Sequence, residues 1–362
     1  MKVVKLSNIQ LGMLTIGFLY GSSAITNPAM IAKRDAWIAL IISWIIGAGI
    51  ILMVLCISKL NNGKSLNEIL ENCFGIILGR VIIILYIIFF IYKAAFNTFS
   101  FGIFMVTVTY PETPLVVIMG IFIVSTTYVV KCGLSTIGKI SEVLAPLIPI
   151  PIFLVSISIV TMKNYTGFQP ILLEIGPVVK SVASTISTVI GDFIAFLMIL
   201  PYTNKQEGRS KAVFWGYFII GLLLMVIVIR TLIVIGPVLL DSFVYPAHVA
   251  AQLIPTINID PLVDVNLILG GGFKVTIFLY AVSKMISELF KIKNHRVFVS
   301  AFAILSIVVS LWFFPEATEL RKWTGSWEII MVNTPFQIIL PVIMLIISIA
   351  KRYKTYNNSN KC

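Results

Sequence analysis

Apolar runs of about twenty residues, each long enough to cross a bilayer as a helix, follow one another along almost the whole chain. Within lipid every backbone N–H and C=O must be bonded inside the segment, so such runs fold as α-helices. Ten spans can be placed, at roughly residues 9–31, 36–58, 80–109, 114–131, 140–162, 180–203, 212–240, 264–290, 296–314 and 328–350. Only 12% of the residues are charged, about half the share of a soluble domain, and the mean hydropathy is +1.02. The class is an all-α integral membrane protein, with residues 1–362 forming a single transmembrane domain. The first run has no small-residue cleavage site after a short apolar core, so it reads as a span rather than a secretory leader.

The same composition argues against a soluble-type enzyme. There is no phosphate-binding glycine loop, no Gly-x-Ser-x-Gly elbow and no His-Glu-x-x-His zinc motif, and no catalytic residue, metal or cofactor is expected. Cys56, Cys73, Cys132 and Cys362 lack disulfide or metal spacing, and His248 and His295 stand far apart. The net charge of +12 comes from basic residues edging apolar runs, so the expected partner surface is the lipid bilayer and not nucleic acid.

Those edge charges also orient the chain. Lys59, Lys64, Arg80, Lys131, Lys139, Lys205, Arg209, Lys211, Lys291, Lys293, Arg296, Lys351 and Arg352 flank one side of the spans. The other side holds few, chiefly Lys33, Arg34, Lys163, Lys180, Arg321 and Lys322. The positive-inside rule then places both termini in the cytoplasm, with Trp37, Trp312, Trp323 and Trp327 as an outer aromatic belt. Residues 9–162 and 180–350 each hold five spans. Each half places a short helix-capable insert after its second span, Ser65–Asn72 and Pro246–Leu253. An odd number of spans inverts the second half relative to the first, which is the layout of an inverted-repeat carrier with broken first and sixth helices. Pro146, Pro149 and Pro151 predict a bend in span five, and Pro335 and Pro341 another in span ten.

The chemistry should gather at two interruptions. Gly21-Ser22-Ser23 interrupts span one, and Ile190-Gly191-Asp192-Phe193 interrupts span six. A carboxylate at membrane depth costs at least about 2.5–3.5 kcal/mol unless it faces a partner, a wet cavity or a ligand. Lys93, in Tyr92-Lys93-Ala94-Ala95-Phe96-Asn97 of span three, is the best partner for Asp192. Two readings stand for this pair: a structural lock between helices, or the lining of a ligand chamber. Two also stand for the first break: backbone N–H groups seating a carboxylate, or close helix packing through Gly17-x-x-x-Gly21. The candidate ligand contacts are Gly21, Ser22, Ser23, Lys93, Asn97, Gly191, Asp192 and Phe193. Ser187 and Thr188 add hydroxyls just before the second break. Arg230 and Lys274 are expected to snorkel, Lys284 to pair with Glu288 one turn away, and Glu142 to serve as an inner-gate or structural group.

Several stretches carry a family resemblance. They are Arg34-Asp35-Ala36-Trp37, Lys64-Ser65-Leu66-Asn67-Glu68-Ile69 with Gly75 and Gly79-Arg80, and Tyr110-Pro111-Glu112-Thr113-Pro114. Gly133-Leu134-Ser135-Thr136-Ile137-Gly138-Lys139-Ile140-Ser141-Glu142 with Pro146 is the longest, and Gly272-Phe273-Lys274-Val275 fits more loosely. Together they resemble the B subunit of bacterial spore germination receptors, the spore-germination permease branch of the amino acid–polyamine–organocation superfamily. The resemblance implies two inverted five-helix repeats of LeuT/APC-like form and residence in the spore inner membrane beside A and C subunits. It also implies recognition of a nutrient such as an amino acid at the broken helices. The alternative is a secondary active amino-acid or polyamine transporter coupled to protons or sodium.

Overall fold

A computed structural model describes residues 5–23, 27–158, 168–169, 171–203, 208–253, 260–314 and 325–359. Among these residues the chain is helical, and the single isolated strand-like contact joins Leu6 to Thr203. Among the described residues nine helical stretches are long and apolar enough to cross a membrane, and α1 is described over Asn8–Ser23. Isoleucine-rich faces look outward, with Ile45 70%, Ile77 85% and Trp312 81% exposed. Apolar surface on that scale is stable only against acyl chains.

The expected spans fall close to the observed helices. They are α2 (Ala36–Leu60), α4 (Ile76–Val108), α5 (Leu115–Cys132), α9 (Arg209–Ile235), α11 (Asp260–Leu289) and α12 (Arg296–Phe313). The helix-capable inserts are α3 (Leu66–Phe74) and α10 (Pro246–Gln252). A capping box starts α3, in which Ser65 Oγ accepts from the Glu68 amide and the Glu68 carboxylate accepts from the Ser65 amide. Between α5 and α6 (Leu134–Leu144), Gly133 takes φ +96°, a turn that a side chain would strain.

The interruptions take forms that the sequence did not specify. Helix α1 is described as far as Ser23, and Asn27 caps a 3-10 helix, Pro28–Asp35. Gly21-Ser22-Ser23 is thus wound as helix and not an unwound centre. Span five breaks at a 3-10 turn, Ala145–Leu147, between α6 and α7 (Pro149–Ser158). Span ten breaks at a π turn, Pro335–Ile339, between α13 (Trp327–Thr334) and α14 (Leu340–Ser359). In each case proline removes the backbone donor that a regular helix needs.

Span six is the most irregular and the most central. It runs from α8 (Ile175–Thr185) through a π turn, Ile186–Ile190, into a 3-10 helix, Gly191–Met198. Almost all of it is buried, whereas α12 leaves most of its length on the surface. Helices α1, α2 and α11 pack around it. Of the expected tryptophan belt, Trp312 and Trp327 are exposed and Trp37 is partly buried; Trp323 lies outside the described residues.

Candidate functional site

The change from α to π to 3-10 winding in span six shifts the hydrogen-bond register, so carbonyls near the junction lose their usual partners. Ser187 O and Thr188 O point sideways as a result and are claimed by neighbouring helices. Lys93 Nζ donates to Ser187 O at 3.2 Å, and Lys274 Nζ donates to Thr188 O at 2.7 Å. From span ten, Gln337 Nε2 donates to Ser187 O at 2.7 Å, while Asn333 Nδ2 reaches Ser187 O at 3.2 Å and Ser187 Oγ at 3.0 Å.

Four residues further on, Asp192 faces the same donors. Lys93 Nζ lies 2.8 Å from Oδ1 and Lys274 Nζ lies 2.7 Å from Oδ2. Gln337 Nε2 donates to Oδ1 at 2.8 Å. Asp192 and Lys274 are 0% exposed and Lys93 is 1% exposed. Two ammonium groups therefore share one carboxylate, and the remaining charge is met by carbonyl oxygens and aromatic faces. Phe89 lies 5.8 Å from Lys93 Nζ and Phe18 lies 5.5 Å from Lys274 Nζ. Burying such ions is tolerable only with this density of partners.

The sequence-derived candidates divide around this cluster. Lys93 and Asp192 form its heart, and Gly191 borders it: a Cβ there would fall 2.5 Å from Gln337 Oε1. Asn97 points along its own helix and donates to Lys93 O at 2.7 Å. Phe193 stacks on Phe196 at 4.2 Å between centroids, inside the apolar core. Ser23 Oγ donates to Leu19 O at 3.3 Å, and the Ser22 side chain lies outside the described part. A Cβ on Gly21 would lie 2.7 Å from Gly270 O and 2.9 Å from Lys274 Cβ, so this face of α1 is pressed against α11. Close packing accounts for Gly17 as well, where an added Cβ would collide with the Phe273 ring.

Two expectations need correction. Lys274 does not snorkel: it is 0% exposed, and its Nζ is held inside the bundle 2.7 Å from Asp192 Oδ2 and 2.7 Å from Thr188 O. Arg230 is also buried, at 6% exposure, with Nη2 donating to Ala247 O at 3.4 Å. Lys284 does pair with Glu288, at 3.7 Å, and Gln10 of α1 donates to Glu142 at 3.2 Å. Asn333 and Gln337 escaped sequence reasoning altogether. Their signal was an amide pair one turn apart in an otherwise apolar span, flanking Pro335.

A cavity of about 540 Å³ lies on the far face of α11, among α4, α5 and α6, with Phe122, Ile137, Gly272 and Phe273 in its wall. A second, of about 20 Å³, lies beside Arg230. Neither is lined by Asp192, Lys93 or Lys274. The ion cluster is thus closed over by its own side chains in this arrangement.

The spore germination protein family model matches residues 5–318. Spore germination protein KB of Bacillus subtilis (strain 168) is 27% identical over 97% of this chain and 96% of its own length. YfkT of the same organism, also described as a spore germination protein, is 22% identical over 87% of each chain. Among solved structures, MhsT in complex with L-phenylalanine superposes with a TM-score of 0.62 over 94% of this chain and 97% of MhsT, at 13% identity. That likeness establishes a LeuT-like transporter fold for the helices described above. With a matching family model over most of its length and curated relatives over nearly all of it, the chain belongs to the spore germination protein family of integral membrane proteins.

Proposed function

We propose that the chain is the membrane subunit of a nutrient germinant receptor, binding a small zwitterion of the amino-acid class where α1, α4, α11 and the irregular span six meet. The observation that carries this reading is the closed Lys93–Asp192–Lys274 cluster. A ligand ammonium would compete with a lysine for Asp192, and a ligand carboxylate would take up the lysine released. A zwitterion can exchange both contacts without leaving a buried charge alone, which neither a cation nor an anion can do. Because the ligand must open contacts that hold three helices together, it binds one helix arrangement better than the other, as a switch requires. The L-phenylalanine of the MhsT complex supports the ligand class. In this reading the site residues are Lys93, Gly191, Asp192 and Lys274, with Gly21, Ser22, Ser23, Asn97 and Phe193 brought into contact as α1 and span six move apart.

The receptor would sit in the spore inner membrane beside A and C subunits, with both termini on the cytoplasmic side, in keeping with the basic edge residues. The test is a germination dose–response for spores carrying Asp192→Asn or Lys274→Met at wild-type protein levels. Both variants should need higher nutrient concentrations. An unchanged curve in both removes the site.

The LeuT-like fold favours a second reading, transport of the same ligand class driven by protons or sodium. Accumulation of labelled amino acid in proteoliposomes, dependent on an imposed gradient, would select it.

A further inference from the structure

Arg230 lies near the end of α9, 6% exposed, and cannot shed its charge as a buried lysine can. Among the described residues no carboxylate forms an ion pair with it. Among the described residues it donates one hydrogen bond, to Ala247 O, long at 3.4 Å, and Nε has no partner. The acid Asp264 on α11 accepts from Thr109 at 2.9 Å and faces His248 at 3.6 Å. A guanidinium in this condition carries a desolvation penalty of several kcal/mol with little to offset it.

Beside it is the small cavity, of about 20 Å³, walled by Tyr20, Ile152, Ile227, Arg230, Ala247 and Asn266. That volume holds one water-sized body. A water would complete hydrogen bonds there but supply no charge. A carboxylate-bearing metabolite is too large for the space.

We propose that this cavity is a site for a single small inorganic anion of halide size, held by the Arg230 guanidinium and the Tyr20 hydroxyl. Five elements contribute to its wall: α1, α7, α9, α10 and α11. Tyr20 immediately precedes Gly21, whose backbone rests on Gly270 beside Lys274. The anion therefore ties α9 to the α1–α11 contact and stabilises the closed packing described above.

The test is thermal unfolding of the purified full-length chain in detergent, with sodium gluconate exchanged for sodium chloride or bromide at constant ionic strength. Gluconate cannot enter the cavity. The midpoint should rise with halide and saturate, as mass action requires for a ligand of the folded state. Arg230→Gln should abolish the response, and Tyr20→Phe should raise the half-saturating chloride concentration by about tenfold, the worth of one hydrogen bond to a charged group. A midpoint indifferent to halide in the wild type, or an equal response in Arg230→Gln, overturns the site. If Arg230→Gln does not fold, anomalous scattering from bromide-grown crystals decides. A bromine peak beside the guanidinium supports the proposal, and a water there in its place refutes it.

Discussion

Asp192→Asn keeps the shape of the side chain and an oxygen for Gln337 while removing the only carboxylate of the cluster. Two ammonium groups, now 2.8 and 2.7 Å from carboxylate oxygens, would face a neutral amide in a site with no exposure. Removing one partner of a buried ion pair costs about 3–5 kcal/mol. Here two pairs share the acid, and the two lysines would then repel each other across it. About 3 kcal/mol is therefore the floor. The sharper expectation concerns Lys274→Met. In the wild type it breaks a buried pair and destabilises. In the Asp192→Asn background it removes an uncompensated charge and should restore stability, so its effect changes sign. Thermal midpoints of the four proteins in one detergent, closed as a double-mutant cycle, give the coupling directly. If Lys274→Met costs the same in both backgrounds, or Asp192→Asn stays within about 0.5 kcal/mol of wild type, the cluster does not hold the helices as argued.

Three further outcomes follow from local geometry. Gly21→Ala should lose about 1–3 kcal/mol, because the new Cβ meets backbone at 2.7 Å, whereas Gly120→Ala in α5, with nothing within 4 Å, should gain about 0.5–1 kcal/mol; unfolding midpoints of the pair test the contrast. Ser65→Ala should cost about 1–2 kcal/mol, since its hydroxyl caps α3 and also donates to Glu288 at 2.9 Å, and hydrogen exchange should show α3 loosening first. His295, in the turn between α11 and α12, is pushed down from 6.5 to about 4 by burial first, then by Lys284 and Arg296. Its neutral form is the one folding favours, so its contribution is complete above pH 6.5 and fades as pH falls toward 4. The midpoint should drop more steeply across that window in the wild type than in His295→Gln, and parallel curves would refute the assignment.

Much of this protein was legible in the chain because the bilayer permits so few solutions. Span number, the bends at Pro146 and Pro335, the helical inserts and the interruption at Gly191 all follow from hydropathy length and from residues that cannot continue a helix. The pairing of Asp192 with Lys93 was also within reach, since a lone acid at that depth demands a base and few were available. Lys274 was misjudged for a definite reason. Whether a lysine snorkels depends on what stands beside it in the packed bundle, and the carboxylate that holds Lys274 belongs to another helix.

What the tertiary structure alone decided is how the interruptions are used. Gly21 could have opened a ligand seat or admitted a neighbouring helix, and only the Gly270 carbonyl, 2.7 Å from where a Cβ on Gly21 would stand, shows the second in this arrangement. Asn333 and Gln337 joined the cluster because both amides reach the Ser187 carbonyl, a registration of span ten against span six that no local pattern encodes. Hydropathy is a property of one helix and can be read from one. The number of lysines that share a carboxylate is a property of three helices and a loop register together, and it exists only once they are packed.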